Sequence, residues 1–127
     1  MCKVTMLGYP INVDYGAHVK QRLRSRFDDM DIAYLEYRIE EVFSDEAVAD
    51  HLMNEVKIGE DVILIDEDSG ITFAVNVGTD TLYIMTVYNA FEYSGFRCGD
   101  RQQVLKYAEK SGFRSGRFER KRGNVYA

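Results

Sequence analysis

Residues 61–88 read DVILIDEDSGITFAVNVGTDTLYIMTVY, and this stretch decides the fold that the sequence predicts. Apolar residues occupy every second position from 71 to 77, which is typical of a half-buried strand. The runs at 61–66 and 82–88 are rich in Val, Ile, Leu and Tyr, and short turns at 68–70 and 78–80 join the three segments. We therefore expect an antiparallel β-meander.

The segment AHVKQRLRSR, residues 17–26, predicts an amphipathic helix from about residue 15 to 27. His18, Arg22 and Arg26 follow one another at intervals of four and fall on one helix face. Val19 and Leu23 form an apolar stripe beside them, continued by the residue at 27. No acidic residue lies between positions 15 and 27, so this helix presents a stripe of His and Arg.

Further helices are predicted on both sides of the meander. Asp31 is a candidate N-cap for a helix with apolar positions 32, 35, 39, 42 and 43. Ser44 or Asp45 caps a continuation to about residue 56, either as a bend or as a separate helix. A last helix is predicted for residues 101–111, with Asp100 as its N-cap and Gly112 as its C-cap. A short strand is expected at 3–7.

Together these elements predict an α+β fold, with N-terminal helices packed on one face of a small antiparallel β-meander. A C-terminal helix and a basic tail complete the predicted architecture. We expect one domain over residues 1–112 and a flexible basic tail over 113–127.

Charge is distributed unevenly along the 127 residues, whose formal net charge is −5. Residues 1–96 carry 7 Lys/Arg and 18 Asp/Glu, a net of −11, whereas residues 97–127 carry 9 and 3, a net of +6. An acidic balance argues against indiscriminate nucleic-acid binding but allows a local basic cleft. No stretch of the sequence resembles a signal peptide or a membrane-spanning segment, and Cys2 and Cys98 form no metal-binding motif, so we expect a cytoplasmic protein without metal or cofactor.

The His/Arg stripe has the chemistry of a phosphate-handling site. His18 can exchange a proton near neutral pH, and Arg22 and Arg26 can stabilise anionic charge. Thr86 and Tyr88 are expected on one face of the last meander strand, together with residues 82 and 84. If that face meets the helix, the five side chains could support attack of a ribose hydroxyl on a phosphodiester. The alternatives are a solvated helix face and ordinary strand residues.

The C-terminal region mixes cations with aromatic residues. Such mixtures bind single-stranded RNA by phosphate contacts and base stacking, and a solubilising tail is the alternative interpretation. The candidate RNA-binding residues are Arg97, Arg101, Arg114, Arg117, Arg120, Lys121 and Arg122.

The acidic middle of the chain supports a hypothesis of another class. Glu40, Glu41, Asp45, Glu46 and Asp50 would form an acidic helical surface. The protein would then be a non-catalytic interaction module, of a phage or mobile-element type, that binds a basic partner. A solvated helix face is the simpler interpretation of the same residues.

The order of these segments resembles the RelE-like toxin family, within the barnase–EndoU–colicin–RelE group of ribonuclease folds. The resemblance rests on AHVKQRLRSR as a helix with His and two Arg, on IAYLEYRIEEVF as a second helix, and on a sheet that ends in the strand LYIMTVY. It covers roughly residues 18–88. It implies a metal-independent endoribonuclease acting on mRNA, with an antitoxin as protein partner. It also implies that His18, Arg22, Arg26, Thr86 and Tyr88 are the catalytic residues.

Overall fold

A computed structural model describes residues 2–89 and 101–119, with side chains for 2–89 and 104–114. Three helices and seven strands lie within these ranges. In chain order they are β1 (Cys2–Met6), β2 (Tyr9–Tyr15), α1 (Ala17–Arg26), α2 (Ile32–Phe43), α3 (Glu46–Asn54), β3 (Asp61–Asp66), β4 (Ile71–Val77), β5 (Thr81–Asn89), β6 (Arg101–Ala108) and β7 (Gly112–Glu119).

The strands that the structure describes form one curled, mixed sheet in the order β1-β2-β5-β4-β3-β6-β7. The central strands β3, β4 and β5 pair antiparallel, as predicted. Two hairpins extend this meander on either side, through the parallel pairs β2–β5 and β3–β6. The predicted fold, a small antiparallel meander with N-terminal helices and a C-terminal helix, is therefore wrong, because the strands form a seven-stranded mixed sheet and the C-terminal helix is replaced by strands.

The predicted C-terminal helix at 101–111 is the hairpin β6–β7 instead. Buried Leu105 and Tyr107 alternate with exposed Lys106, and β6 pairs along buried strand β3. Gly112 has φ 78°, a left-handed conformation that serves a hairpin turn as well as a helix C-cap. The local sequence fits both structures, and pairing with β3 favours the strand. The segment predicted as a tail contributes β7 as far as residue 119.

Strand β2 was not predicted. Its residues Ile11, Val13 and Tyr15 are buried at alternate positions, and Leu7 and Gly8 form the tight turn from β1. Gly8 and Pro10 are typical of a break after the first strand, so the sequence alone predicts no paired strand there. α1 consequently begins after residue 16, later than predicted.

Helices α2 and α3 follow the predicted pattern. Their apolar stripes are buried in the core, at positions 35, 39, 42 and 43 of α2 and at 48, 49 and 52 of α3. The Asp31 carboxylate accepts a hydrogen bond from the Tyr34 amide at 2.9 Å, and Asp45 accepts from the amides of Ala47 and Val48 at 3.1 Å. Asp45 thus caps a separate helix, which settles the choice between a bend and two helices.

None of the helices in the described part of the chain is long and apolar enough to cross a lipid bilayer.

Candidate nucleic-acid interface

Helix α1 packs against strand β5 beyond the point where β2 stops pairing with it. The β2–β5 ladder ends at Tyr15 and Ile84, and α1 begins two residues later along the chain. Val19 and Leu23, the predicted apolar stripe, are buried in the core. Because Val19 and Leu23 face the core, the neighbouring stripe of His and Arg lies outside the core.

Arg26 ties the end of α1 to the end of β5. Its Nη1 donates a hydrogen bond to the Val87 carbonyl oxygen at 2.8 Å, and its Cζ lies 4.7 Å from the centre of the Tyr88 ring. The Asn89 side-chain amide donates to the Arg26 carbonyl oxygen at 3.2 Å. A cation above an aromatic ring contributes about 1 kcal/mol at a half-exposed site. Arg26 therefore has a structural role whatever else it does.

His18 and Arg22 are more accessible than Arg26. His18 is exposed, and Arg22 is half-buried. Neither side chain forms a hydrogen bond or ion pair with another residue that the structure describes. Each four-residue step along an α-helix advances by about 6 Å, so His18 and Arg26 are about 12 Å apart along the axis. The stripe is a row of cationic side chains, and its two ends do not converge on one point.

A β-bulge reverses the predicted facing of Thr86 and Tyr88. The register shifts at Ala74 of β4, so that Met85 is an extra residue between the pairs formed by Ile84 and Thr86. Ile84 is buried in the core, whereas Thr86 and Tyr88 are half-exposed on the outer face of the sheet. The prediction that they share a face with residues 82 and 84 is therefore wrong.

The outer face of β5 also exposes two large side chains. Tyr83 is 46% exposed and Met85 is 42% exposed. Thr86 and Tyr88 continue this face toward the end of the strand that Arg26 contacts. The result is a surface with a stripe of His and Arg on α1 and aromatic side chains on β5, which we call the α1–β5 surface.

The C-terminal candidates are described only in part. Arg114 is exposed, and its Nη2 lies 2.6 Å from Glu67 Oε1 in an ion pair. Arg101 and Arg117 lie in β6 and β7, and their side chains are outside the described set. The remaining candidates lie outside the described residues; they are Arg97, Arg120, Lys121 and Arg122. Of the seven, Arg114 is thus the one whose surroundings are known, and its charge is paired with a carboxylate.

Sequence reasoning missed a buried ion pair between Arg38 and Asp66. Arg38 Nε donates to Asp66 Oδ2 at 2.8 Å, and Nη2 donates to Oδ1 at 3.0 Å, so the pair is bidentate. Ser69 Oγ donates to Asp66 Oδ2 at 2.5 Å, and Asp68 Oδ2 lies 3.7 Å from the guanidinium. The hydrogen bond to Asp66 raises the pKa of Arg38 above its ordinary value. The pair fastens α2 to the turn between β3 and β4.

A second polar link joins α2 to strand β2, near the β1 edge of the sheet. The Tyr15 hydroxyl donates a hydrogen bond to a Glu36 carboxylate oxygen. Burial, and then the bond to Glu36, raise the pKa of Tyr15 well above its ordinary value. The thiol of Cys2 lies in the same acidic neighbourhood, where burial and Glu36 raise its pKa. The Tyr15 hydroxyl, the Glu36 carboxylate and the Cys2 thiol thus interact with one another within the fold.

The acidic candidates on α2 and α3 lie at the surface. Glu40, Glu41, Glu46 and Asp50 are exposed, and half-buried Asp45 serves as the N-cap of α3. An exposed acidic surface is therefore present, as one interpretation of the sequence requires.

No cluster of three or more His, Cys, Asp or Glu side chains that could hold a metal ion occurs within residues 2–89 and 104–114. Comparison of the chain with protein-family models, with curated proteins and with solved structures finds no match.

Proposed function

We propose that the protein binds single-stranded RNA along the α1–β5 surface. The observation that carries this proposal is the placement of Arg26 beside Tyr88, with exposed Tyr83 on the same strand face. Guanidiniums bind the phosphates of a nucleic acid, and aromatic rings stack on unpaired bases. A helix stripe next to an aromatic strand offers both contacts to one strand of RNA.

The spacing of the stripe favours binding over cleavage. General acid–base attack on a phosphodiester requires the proton-transferring group and the anion-stabilising groups around one phosphorus atom. His18 and Arg26 are about 12 Å apart along the helix, and Arg26 already donates to the Val87 carbonyl. A row with this spacing suits successive phosphates of a chain. We therefore propose binding as the activity, and endoribonuclease cleavage, with His18 as its base, as the outcome that would replace it.

The charge of the rest of the molecule limits this binding to a local surface. The protein has a net charge of −5, so its overall field repels RNA. About three cationic contacts would give a log–log salt slope of about −2 for a single strand. The proposal includes a cytoplasmic location, where RNA is accessible. Binding of a protein partner to the acidic surface of α2 and α3 is a separate hypothesis.

The test measures RNA binding by fluorescence anisotropy with a mixed 12-nucleotide single-stranded pool. Arg22→Gln should weaken binding about fivefold and make the salt slope less steep by about 0.7. Arg24→Gln is the matched control, because Arg24 is exposed on the opposite flank of the same helix and the charge change is identical. Equal losses from both substitutions would mean that net charge alone decides binding, and would refute the proposed surface.

A second assay separates binding from cleavage. The same RNA pool is incubated with the protein in EDTA, and wild type is compared with His18→Ala. Bound but intact RNA supports the binding proposal. Cleavage by wild type that His18→Ala abolishes would contradict it and establish a metal-independent ribonuclease. Absence of both binding and cleavage would exclude both functions.

A further inference from the structure

An apolar groove opens at one end of the sheet, away from Arg26 and Tyr88. It lies where the β1–β2 turn, the end of α3 and the β4–β5 turn meet, and its volume is about 100 Å³. Its inner wall is formed by Met6, Ile11, Leu52, Val56, Val77 and Leu82. Leu82 and Tyr88 are six residues apart on β5, or about 20 Å, so the groove lies at the other end of β5 from the contact between Arg26 and Tyr88.

Large apolar side chains stand exposed around this groove. Ile58 is 66% exposed and Met53 is 37% exposed, and both line it. Tyr9 and Leu7, in the adjoining hairpin, are 63% and 40% exposed. Isolated exposed apolar residues are ordinary, but two in the lining of one concave apolar site, with two more in the adjoining hairpin, are typical of an interaction surface.

The β1–β2 turn exposes Leu7 at a conformational cost. Leu7 has φ 51° and the following Gly8 has φ 86°, so both turn residues are left-handed. Such two-residue turns strongly favour Asn or Gly, because a left-handed conformation costs other residues about 1 kcal/mol. An exposed leucine in this conformation gains no burial in the described fold. Its presence is accounted for if a bound partner covers it.

The charged residues around the groove are predominantly acidic. Asp50 lies one helical turn before Met53, and Asp80 follows the lining residue Thr79. Glu60 Oε1 accepts a hydrogen bond from the Lys57 amide at 2.7 Å, within the loop that carries Ile58. Lys57 is the cation of this loop. A ligand with apolar anchors and flanking positive charges matches this surface in both respects.

We propose that the groove binds an amphipathic basic segment of another protein. Large apolar side chains of that segment would fill the groove between Met53 and Ile58. Its Lys or Arg side chains would lie against Asp50, Glu60 and Asp80. This proposal is independent of RNA binding, since none of its residues belongs to the α1–β5 surface.

The test uses a fluorescein-labelled synthetic peptide of Leu and Lys with helical periodicity. Ile58→Ser should weaken its binding about tenfold, the equivalent of one lost apolar side-chain contact. Tyr34→Ser is the matched control, because Tyr34 is an exposed apolar residue on α2, outside the groove lining. Peptides with Lys replaced by Glu, or Leu by Ser, should not bind. RNA binding should be unchanged in Ile58→Ser.

Leu7→Asn distinguishes a binding role from a structural one. Asn suits the left-handed turn, so the melting temperature should stay the same or rise, while peptide binding weakens several-fold. Equal binding by wild type and Ile58→Ser, or binding of the Glu peptide, would overturn the proposal. Self-association that Ile58→Ser abolishes would overturn it as well, because a second copy would then cover the groove.

Discussion

Helices α1 and α2 each hold an arginine against the sheet, but in opposite electrostatic surroundings. Arg38 of α2 is buried and forms a bidentate ion pair with Asp66. Arg26 of α1 is half-buried and contacts a carbonyl oxygen and the Tyr88 ring. Arg26 forms no ion pair with a carboxylate of the described residues. The positive charge of Arg38 is thus neutralised within the fold, whereas the positive charge of Arg26 can still bind a phosphate.

This difference teaches that residue type alone does not indicate function. Both arginines lie on helices that pack on the sheet, and both approach a tyrosine ring, Tyr37 for Arg38 at 5.7 Å. What separates them is the carboxylate and the depth of burial. The uncompensated arginine is the candidate for binding, and the paired arginine is a stability determinant.

Breaking the buried pair should have the largest effect. Arg38→Met leaves the Asp66 carboxylate buried without its cation, and we expect a loss of about 3–5 kcal/mol in the free energy of unfolding. Urea denaturation monitored by circular dichroism measures this loss. The control is Arg38→Met with Asp66→Asn, which should recover much of it, because no unpaired charge is then buried. A single-variant loss below about 1 kcal/mol would contradict the assigned role.

Replacing Arg26 should lower the free energy of unfolding less than replacing Arg38 does, and it should weaken RNA binding more. Arg26→Met removes one hydrogen bond to a carbonyl and one cation–ring contact, so we expect a loss of about 1–2 kcal/mol. Arg26→Lys keeps the charge and should retain RNA affinity within about twofold. Urea denaturation and RNA anisotropy on the two variants separate these effects. A loss as large as that of Arg38→Met would show that the two arginines are structurally equivalent.

The sequence predicts those elements whose signals are local. The caps Asp31 and Asp45 and the apolar stripes of α2 and α3 depend on residues close in the chain, and the structure confirms them. β4 is a strand as predicted, but Thr72 and Ala74 are buried as well, so the expectation that it is half-buried is wrong. Strands β2 and β6 each pair with a strand far along the chain, β5 and β3 respectively, and β7 is the hairpin partner of β6. Residues 101–108 fit a helix locally and become a strand beside β3.

The candidate site was predictable to a similar extent. The stripe of His18, Arg22 and Arg26 on one helix face follows from helical periodicity alone. The facing of Thr86 and Tyr88 does not, because a single extra residue at the bulge reverses it. The Arg38–Asp66 pair left a faint signal, a charged residue on the apolar face of α2, but its partner could not be identified without the topology.

Alkaline pH tests the other polar link of α2, the Tyr15–Glu36 hydrogen bond. We expect its effect on stability to be smaller than those of replacing Arg38 or Arg26. The pKa of Tyr15 is raised in the folded state, so the folded protein keeps this proton where the unfolded chain loses it. The stability that this contributes is complete below the ordinary tyrosine pKa of about 10 and declines above it.

Between pH 8 and 10.5 the loss from Tyr15 should be on the order of 1 kcal/mol, and Tyr15→Phe should lack it. Urea midpoints at the two pH values measure the difference, with exposed Tyr9→Phe as a control that keeps the wild-type loss. An identical alkaline loss in Tyr15→Phe and wild type would mean that the Tyr15–Glu36 bond does not persist in solution. α2 would then be held by its apolar stripe and Arg38, and its contrast with α1 would rest on the buried ion pair alone.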